Sequence, residues 1–472
     1  MHRLLPIAIF LAFLALYVLS VGTPFYSSDA VVMYESTRAI ALDGHWRIPD
    51  LVLPQIVRGA DGYTYSKYDP GMALLATPLV QHAENIAKTD TAERYALGAI
   101  YVMVVPAAAM ALAIAALFTL AQEKYGTRRG VMVAAVAGLA TMAWPYGRLF
   151  FAEAVVAGAL TTAVAAIALP RTTRGRWIGV GIAALMMGIA ILTRASALIY
   201  VLPVLYLLWE QHRPRALWPL AALLMIGPAL AFGGLLWHNA IRFENPLQFG
   251  YGDERFSLNP LPGITGLLVS PGKSVFIYAP PLIISGLLWP RFRQREPSLA
   301  RSLLIMTGLA LLYYGAWWAW HGGWVWGPRF LVPLMPLWCL AWGELVSMRP
   351  RHLWYTAGLV IFALGLGVQI IGTFTQVTPV YRQAFAGESN HDDETRFTMV
   401  HYDLDYWPLS SGIDQFMTGE HEPQAIYNLA DTGLAANRVR DIPARVHQIL
   451  GLSLLVISWI SWRHPRVYRE QK

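Results

Sequence analysis
The sequence predicts an all-α polytopic membrane protein with about twelve transmembrane helices, interfacial helices in the first outer loop and a small C-terminal periplasmic segment. Three observations lead there. Of the 472 residues, 56% are hydrophobic and only 14% are charged, and the mean hydropathy of +0.43 lies far above that of a soluble domain. Apolar runs suited to the hydrocarbon layer recur along the whole chain. The loops between them are basic at every second exit.

The first run, Leu4 to Val21, resembles a secretory signal but lacks a small-residue cleavage site and precedes further spans, so it is an uncleaved helix. The next are Tyr95 to Ala121, Val131 to Trp144, Phe151 to Leu169, Trp177 to Leu192, Ala195 to Trp209 and Leu217 to Trp237. Ser274 to Trp289, Leu303 to Trp320, Phe330 to Val346, Leu353 to Phe374 and Val446 to Trp462 complete the set.

Lys and Arg are retained on the cytoplasmic side, so loop charge gives orientation independently of span count. Lys124, Arg128 and Arg129 follow the second span, Arg171, Arg174 and Arg176 the fourth, and Arg213 and Arg215 the sixth. Arg291, Arg293, Arg295 and Arg301 follow the eighth, Arg349 and Arg351 the tenth, and Arg463, Arg466, Arg469 and Lys472 close the chain. Both termini are thereby placed in the cytoplasm. The formal charge of +7 is accounted for by these loops, and no nucleic-acid role is needed. The single Cys339 excludes an intrachain disulfide and reads as buried packing.

The outer face carries the residues that look like chemistry. Between Tyr26 and Pro78 apolar residues such as Val32, Ala39 and Ile40 recur at helical spacing with polar residues between them, the pattern of a helix lying on a membrane surface. Asp29 heads this segment and Lys67 precedes a second one. Asp29 follows Ser27 and Ser28 and reads either as a helix cap or as a general base able to take a proton from an acceptor hydroxyl; one residue can do both. Glu153 opens the apolar run FFAEAVVAGAL, as a first-turn glutamate favoured by the helix dipole or as a second active-site acid. The two carboxylates are also a pair that can hold a divalent metal ion.

Lys67, Arg194, Lys273 and Arg329 lie at outer ends of spans, where cations run against the charge rule. Each reads as a side chain snorkelling to headgroups, or all together as a pocket for a lipid phosphate. SPGK at Ser270 to Lys273 also aims helix N-terminal amides at an anion, without the spacing of a nucleotide loop. His238 with Asn239, and His321 and Trp326 in the Trp-rich stretch Trp317 to Trp326, sit at predicted interfaces, where an aromatic belt and stacking on a sugar ring are both open. No zinc-like His/Glu spacing and no nucleotide-binding motif is found, which excludes a cytoplasmic nucleotide-sugar donor.

An acid just after the first span, a long outer loop with two interfacial helices, and YSKYDPGMALLATP together resemble the GT-C membrane glycosyltransferases, in the branch with protein O-mannosyltransferases and lipid A aminoarabinose transferases. HNAIRFENPLQFGYG, GLLVSPGKSVFIYAPPL and WHGGWVWGPRFLVPLMP look like stretches of bacterial members. The resemblance covers about the first 340 residues. It implies a GT-C-like catalytic module over 1–374 with its first outer loop at 23–94, a periplasmic or extracellular segment at 375–443 and a last helix with a basic tail at 444–472.

By position, the resemblance makes Asp29 the first-loop catalytic acid, Glu153 the second-loop acid and Lys67 the lysine on the lipid phosphate, with Lys273, Arg329 and Arg194 helping. Tyr65, Tyr68, His238, Asn239, His321 and Trp326 are the expected substrate contacts. Asp29 is followed by Ala30 where many protein mannosyltransferases have Asp-Glu, and the second acid is Glu rather than the Asp of the lipid A enzymes. The implied activity is inverting transfer of a sugar from a polyprenyl-phosphate donor to lipid A, a glycan, a glycolipid or a protein, on the outer face of the bacterial cytoplasmic membrane. The rival class, a transporter or lipid-linked-sugar flippase, also fits the span count, and such proteins often show paired repeats and mid-membrane charges or broken helices; no repeat is seen here, and the polar candidates gather at one face.

Overall fold
The computed structural model describes residues 4–22, 25, 27–87, 91–170, 172–211, 214–252, 254–385, 393–420 and 442–463. The predicted basic-loop residues Arg171 and Arg213, and Arg466, Arg469 and Lys472, lie outside them.

After α1 (Leu5–Leu19), the first outer loop supplies α2 (Ser28–Arg38), extended by a π-helical turn at Ala39–Asp43, and α3 (Gly71–Ile86). Both lie in the stretch 23–94 that the sequence reading takes as the first outer loop. Between them the chain forms a two-stranded antiparallel hairpin, β1 (Ile56–Arg58) with β2 (Thr64–Ser66), in the register Val57 to Tyr65. Three-residue strands are too short to show period-two alternation, which is why the sequence did not announce them.

The helical body continues with α4 (Thr91–Tyr101), α5 (Val104–Tyr125), α6 (Thr127–Leu139), α7 (Ala143–Gly147), α8 (Ala152–Ala168), α9 (Thr173–Thr193), α10 (Val201–Gln211) and α11 (Pro214–Phe243). Then come α12 (Leu261–Val269), α13 (Val275–Tyr278), α14 (Pro281–Arg295), α15 (Pro297–Ala316), α16 (Met335–Trp338) and α17 (Arg351–Phe374). The C-terminal part holds α18 (Thr378–Ala384), α19 (Asp393–Val400), α20 (Pro408–Thr418) and α21 (Ile442–Arg463).

Among the described residues six helical stretches are long and apolar enough to cross a membrane: Arg94–Tyr125, Thr173–Thr193, Leu217–Phe243, Pro297–Ala316, Arg329–Ser347 and Arg351–Phe374. Four shorter apolar helices, Leu5–Leu19, Ala152–Ala168, Ala195–Gln211 and Arg445–Ser458, fall on further predicted spans. The remaining two predictions meet broken elements. Val131 to Trp144 is interrupted where Thr141 turns its hydroxyl onto the Ala143 N–H at 3.2 Å. Ser274 to Trp289 is split at Pro280 and Pro281, neither of which has an N–H to continue a helix.

Two ion pairs gather the basic loops at one end of the bundle. Lys124 of α5 meets Glu296, before α15, at 2.8 Å, and Arg301 of α15 meets Glu210 of α10 at 2.6 Å. Helices approach closely where side chains are absent: a Cβ on Gly158 would stand 2.3 Å from the Ala109 carbonyl oxygen. Such contacts are how helices pack tightly when lipid supplies no hydrophobic drive between them.

Candidate active site
Asp29 lies in the first turn of α2, but the helix is capped by Ser27, whose hydroxyl accepts from the Asp29 N–H at 3.2 Å. The carboxylate is therefore free for other partners. Oδ2 accepts from Arg329 Nη1 at 2.6 Å, and Oδ1 accepts from Gln55 Nε2 at 2.9 Å. Burial pushes this carboxyl up, but the Arg329 charge and hydrogen bond, with Tyr68 and Lys67, outweigh it and hold the group below the usual carboxylate range. Asp29 is thus ionised, the form a base requires.

Glu153 begins α8 after the extended Phe151 and is 1% exposed. It accepts a hydrogen bond from Arg194 Nη1 and lies 3.7 Å from Arg329 Nε. Arg329 consequently spans both carboxylates. The guanidinium of Arg194 rests over the Phe330 ring at 4.6 Å and that of Arg329 over Phe151 at 5.3 Å. Arg194 Nε also donates to Ser196 Oγ at 3.1 Å, which in turn meets the Tyr314 hydroxyl at 2.9 Å.

Arg194 owes its place to the Asp69-Pro70-Gly71 turn. Asp69 Oδ2 accepts from the Ala195 N–H at 2.6 Å, and a Cβ on Gly71 would stand 2.5 Å from the Thr193 backbone. Only glycine lets α3 start against the end of α9. The turn therefore ties the first outer loop to the residue beside Glu153.

Lys67 follows β2, and its backbone N–H donates to the Gln55 carbonyl at 3.0 Å, extending the hairpin by one pair. The hairpin thus carries Gln55 to Asp29 and Lys67 toward the loop after α11. There Lys67 Nζ donates to Glu254 Oε1 at 2.7 Å, and Trp318 Nε1 holds the other oxygen at 3.0 Å.

Lys273 is placed differently from the other cations. It is fully buried, and its Nζ donates to the carbonyls of Gly323 at 2.9 Å and Val325 at 2.7 Å. Burial, and then the Arg329 charge, pull its pKa well below the lysine range. Two of its N–H donors are taken by these two carbonyls. His321 shares this loop: its Nδ1 accepts from the Gly323 N–H at 2.9 Å, and its ring lies 4.9 Å from that of His401. Gly322, at φ +73°, packs on the Arg329 side chain, with a Cβ position 2.8 Å from Arg329 Cγ. Lys273 and His321 therefore hold the loop that backs Arg329.

The other expected contacts lie elsewhere. His238 packs edge-on against Trp46 at 4.5 Å, and Asn239 Oδ1 accepts from Arg242 Nη2 at 2.7 Å. His238 and Arg242 line a small cavity with Trp46, Asp69 and Tyr68, so Tyr68 is the wall between it and Asp29. Tyr65 donates to Asp61 Oδ2 at 2.8 Å on the other side of the hairpin. Trp326 is buried against Tyr278, ring centroids 5.0 Å apart, as a core residue. Gln55, Glu254, Asp69 and Ser196 were not anticipated; Asp69 and Glu254 stand inside or beside quoted motifs, whereas Gln55 has no sequence signal.

A divalent ion does not fit the residues present. The Arg329 guanidinium already bridges Asp29 and Glu153, and among the described residues no three His, Cys, Asp or Glu side chains converge. The arrangement offers an ionised carboxylate, a second buried acid, and two guanidiniums with an ammonium nearby, among aromatic rings.

No family model matches the chain, and no curated protein matches it in sequence. Solved structures do. ArnT from Cupriavidus metallidurans in the apo state superposes with a TM-score of 0.49 at 16% identity, over 96% of this chain and 75% of that one, and its form bound to undecaprenyl phosphate gives 0.47. The oligosaccharyltransferase AglB from Archaeoglobus fulgidus, in complex with an inhibitory peptide and a dolichol-phosphate, gives 0.51 at 11% identity, over 85% of this chain and 60% of that one. The apo form of the A. fulgidus oligosaccharyltransferase also gives 0.51, at 12% identity. At such identities the likeness concerns the course of the backbone, and it agrees with the resemblance carried by the sequence motifs: the chain has the fold of the GT-C membrane glycosyltransferases.

Proposed function
We propose that the protein is an inverting glycosyltransferase that moves a sugar from a polyprenyl-phosphate donor to an acceptor hydroxyl at the outer face of the bacterial cytoplasmic membrane, with both termini in the cytoplasm. The observation that carries this reading is the buried bridge Asp29–Arg329–Glu153–Arg194, assembled from the first outer loop, α8 and the ends of two spans. It pairs a base with the cations a phosphate leaving group needs.

In this reading Asp29 takes the proton of the acceptor O–H as that oxygen attacks the anomeric carbon from the face opposite the phosphate. The anomeric C–O bond breaks and its electron pair leaves with the polyprenyl phosphate. Arg329, Arg194 and Lys67 stabilise the charge gathering on that phosphate, where low dielectric makes each contact strong. Every one of these cations is matched by a carboxylate, so an incoming phosphate competes with Asp29, Glu153 and Glu254. Lys273 acts from behind, by holding the loop under Arg329.

The supporting likeness is AglB in complex with a dolichol-phosphate, a statement about that protein. Lipid A, another glycan, a glycolipid and a protein are the acceptor classes in play. Mass spectrometry of glycolipids, polysaccharides and glycoproteins from a strain lacking the protein tests the reading. Loss of one sugar from one class, restored by the wild-type chain, supports it; an unchanged envelope with altered uptake of a lipid-linked sugar supports the transporter instead.

A further inference from the structure
Gln55 is the neighbour of Asp29 that the mechanism above leaves without a task. Its amide N–H donates to Asp29 Oδ1 at 2.9 Å, and its backbone carbonyl fixes it across the hairpin from Lys67. The other end of the amide, Oε1, is buried and has no hydrogen-bond partner. A buried carbonyl oxygen left alone is costly, so the fold holds it there against its own stability. Within one amide group N and O are about 2.2 Å apart, so Oε1 lies within roughly 5 Å of the Asp29 oxygen that would receive the proton.

We propose that Gln55 is an acceptor-binding residue, which orients Asp29 through its N–H and receives through Oε1 a second donor of the acceptor, a hydroxyl or amine on the atom next to the nucleophilic hydroxyl. Neighbouring hydroxyls of a sugar or polyol ring match that spacing, as does the amide N–H beside a serine or threonine hydroxyl. The inference rests on the transferase reading and narrows its acceptor to one that presents a vicinal diol or amino-alcohol pattern.

The test uses the full chain in nanodiscs, with the envelope lipid fraction of a strain lacking the protein as the source of donor and acceptor, and undecaprenyl phosphate as the binding probe. Gln55→Leu is expected to keep its unfolding temperature and to bind undecaprenyl phosphate within about twofold of wild type, while transfer falls about 30-fold. Gln55→Glu places a second carboxylate against Asp29, raising the pKa of the base, so the acid limb of its pH–rate profile moves to higher pH. Gln55→Leu transferring at the wild-type rate, or a Gln55→Glu profile that does not move, overturns the proposal. A loss of stability or phosphate binding in both variants, equal to the loss of transfer, overturns it in favour of a purely structural Gln55. Absence of transfer by the wild-type chain itself means that the transferase reading has failed, and the proposal with it.

Discussion
Arg329 is shared by two buried acids, and removing it leaves Asp29 without its ion-pair partner and Glu153 with Arg194 alone. Arg329→Met is expected to destabilise the fold by about 3–5 kcal/mol, because an unpaired buried charge costs more than the pair contributed. The loss should shrink in the double variant with Asp29→Asn, a non-additivity that thermal unfolding in detergent measures. Asp69 gives a prediction with a pH sign. Burial pushes its carboxyl up to about 6 despite the Ala195 N–H, Arg242 and Arg194. A raised carboxyl pKa means the folded state holds the proton more tightly than the unfolded one, so stability is greatest below about pH 4 and falls as pH rises through about 6. Asp69→Asn keeps an oxygen for the Ala195 N–H and removes the penalty. It should be more stable than wild type at pH 8 by about 2–3 kcal/mol, with the gap closing by pH 4. At this scale the sequence was informative where a charge stood in an apolar run, as at Glu153 and Arg194. It was silent on Gln55, an uncharged residue whose importance comes only from what the hairpin brings it against.

Among the elements, the loop from Gly322 to Gly327 is the one whose support can be separated from its chemistry. Lys273→Met would leave the Val325 carbonyl without a donor and the Gly323 carbonyl with the Val325 N–H alone, and should lower stability by about 1–3 kcal/mol as read by thermal unfolding. Were Lys273 a phosphate ligand instead, undecaprenyl-phosphate affinity would fall with stability intact. Gly322→Ala meets both a positive φ and the Arg329 side chain; transfer should drop about tenfold or more through displacement of Arg329. SPGK announced a lysine near the site, but the spacing alone could not tell an ammonium facing solvent from an amine buried under carbonyls. Long apolar spans were legible, whereas the breaks at Thr141 and Pro280 and the three-residue strands depend on side-chain hydrogen bonds and tertiary pairing.

At the scale of the molecule, the alternation of basic loops predicts which end of the bundle faces which compartment, and the ion pairs of Lys124 and Arg301 gather those loops at one end. Cys339 is buried, so a Cys339→Ser background carrying Val52→Cys offers a single exposed thiol in the first outer loop. A membrane-impermeant maleimide should label it in spheroplasts without lysis; labelling only after lysis would invert the topology. Fold class was readable because apolar composition and loop charge are summed over hundreds of residues. The pairing of Asp29 with Arg329, 300 positions apart, arises only when the chain closes.

The central claim is that Asp29 deprotonates the acceptor while the arginines take the phosphate. The most direct measurement follows purified wild type and Asp29→Asn with the envelope lipid fraction of a strain lacking the protein, recording released polyprenyl phosphate, glycosylated product and the anomeric configuration by NMR. The account predicts stoichiometric release and transfer with inversion by wild type, and loss of at least a thousandfold in Asp29→Asn with undecaprenyl-phosphate binding retained. Transfer by Asp29→Asn at near the wild-type rate, or product of retained configuration, would contradict it.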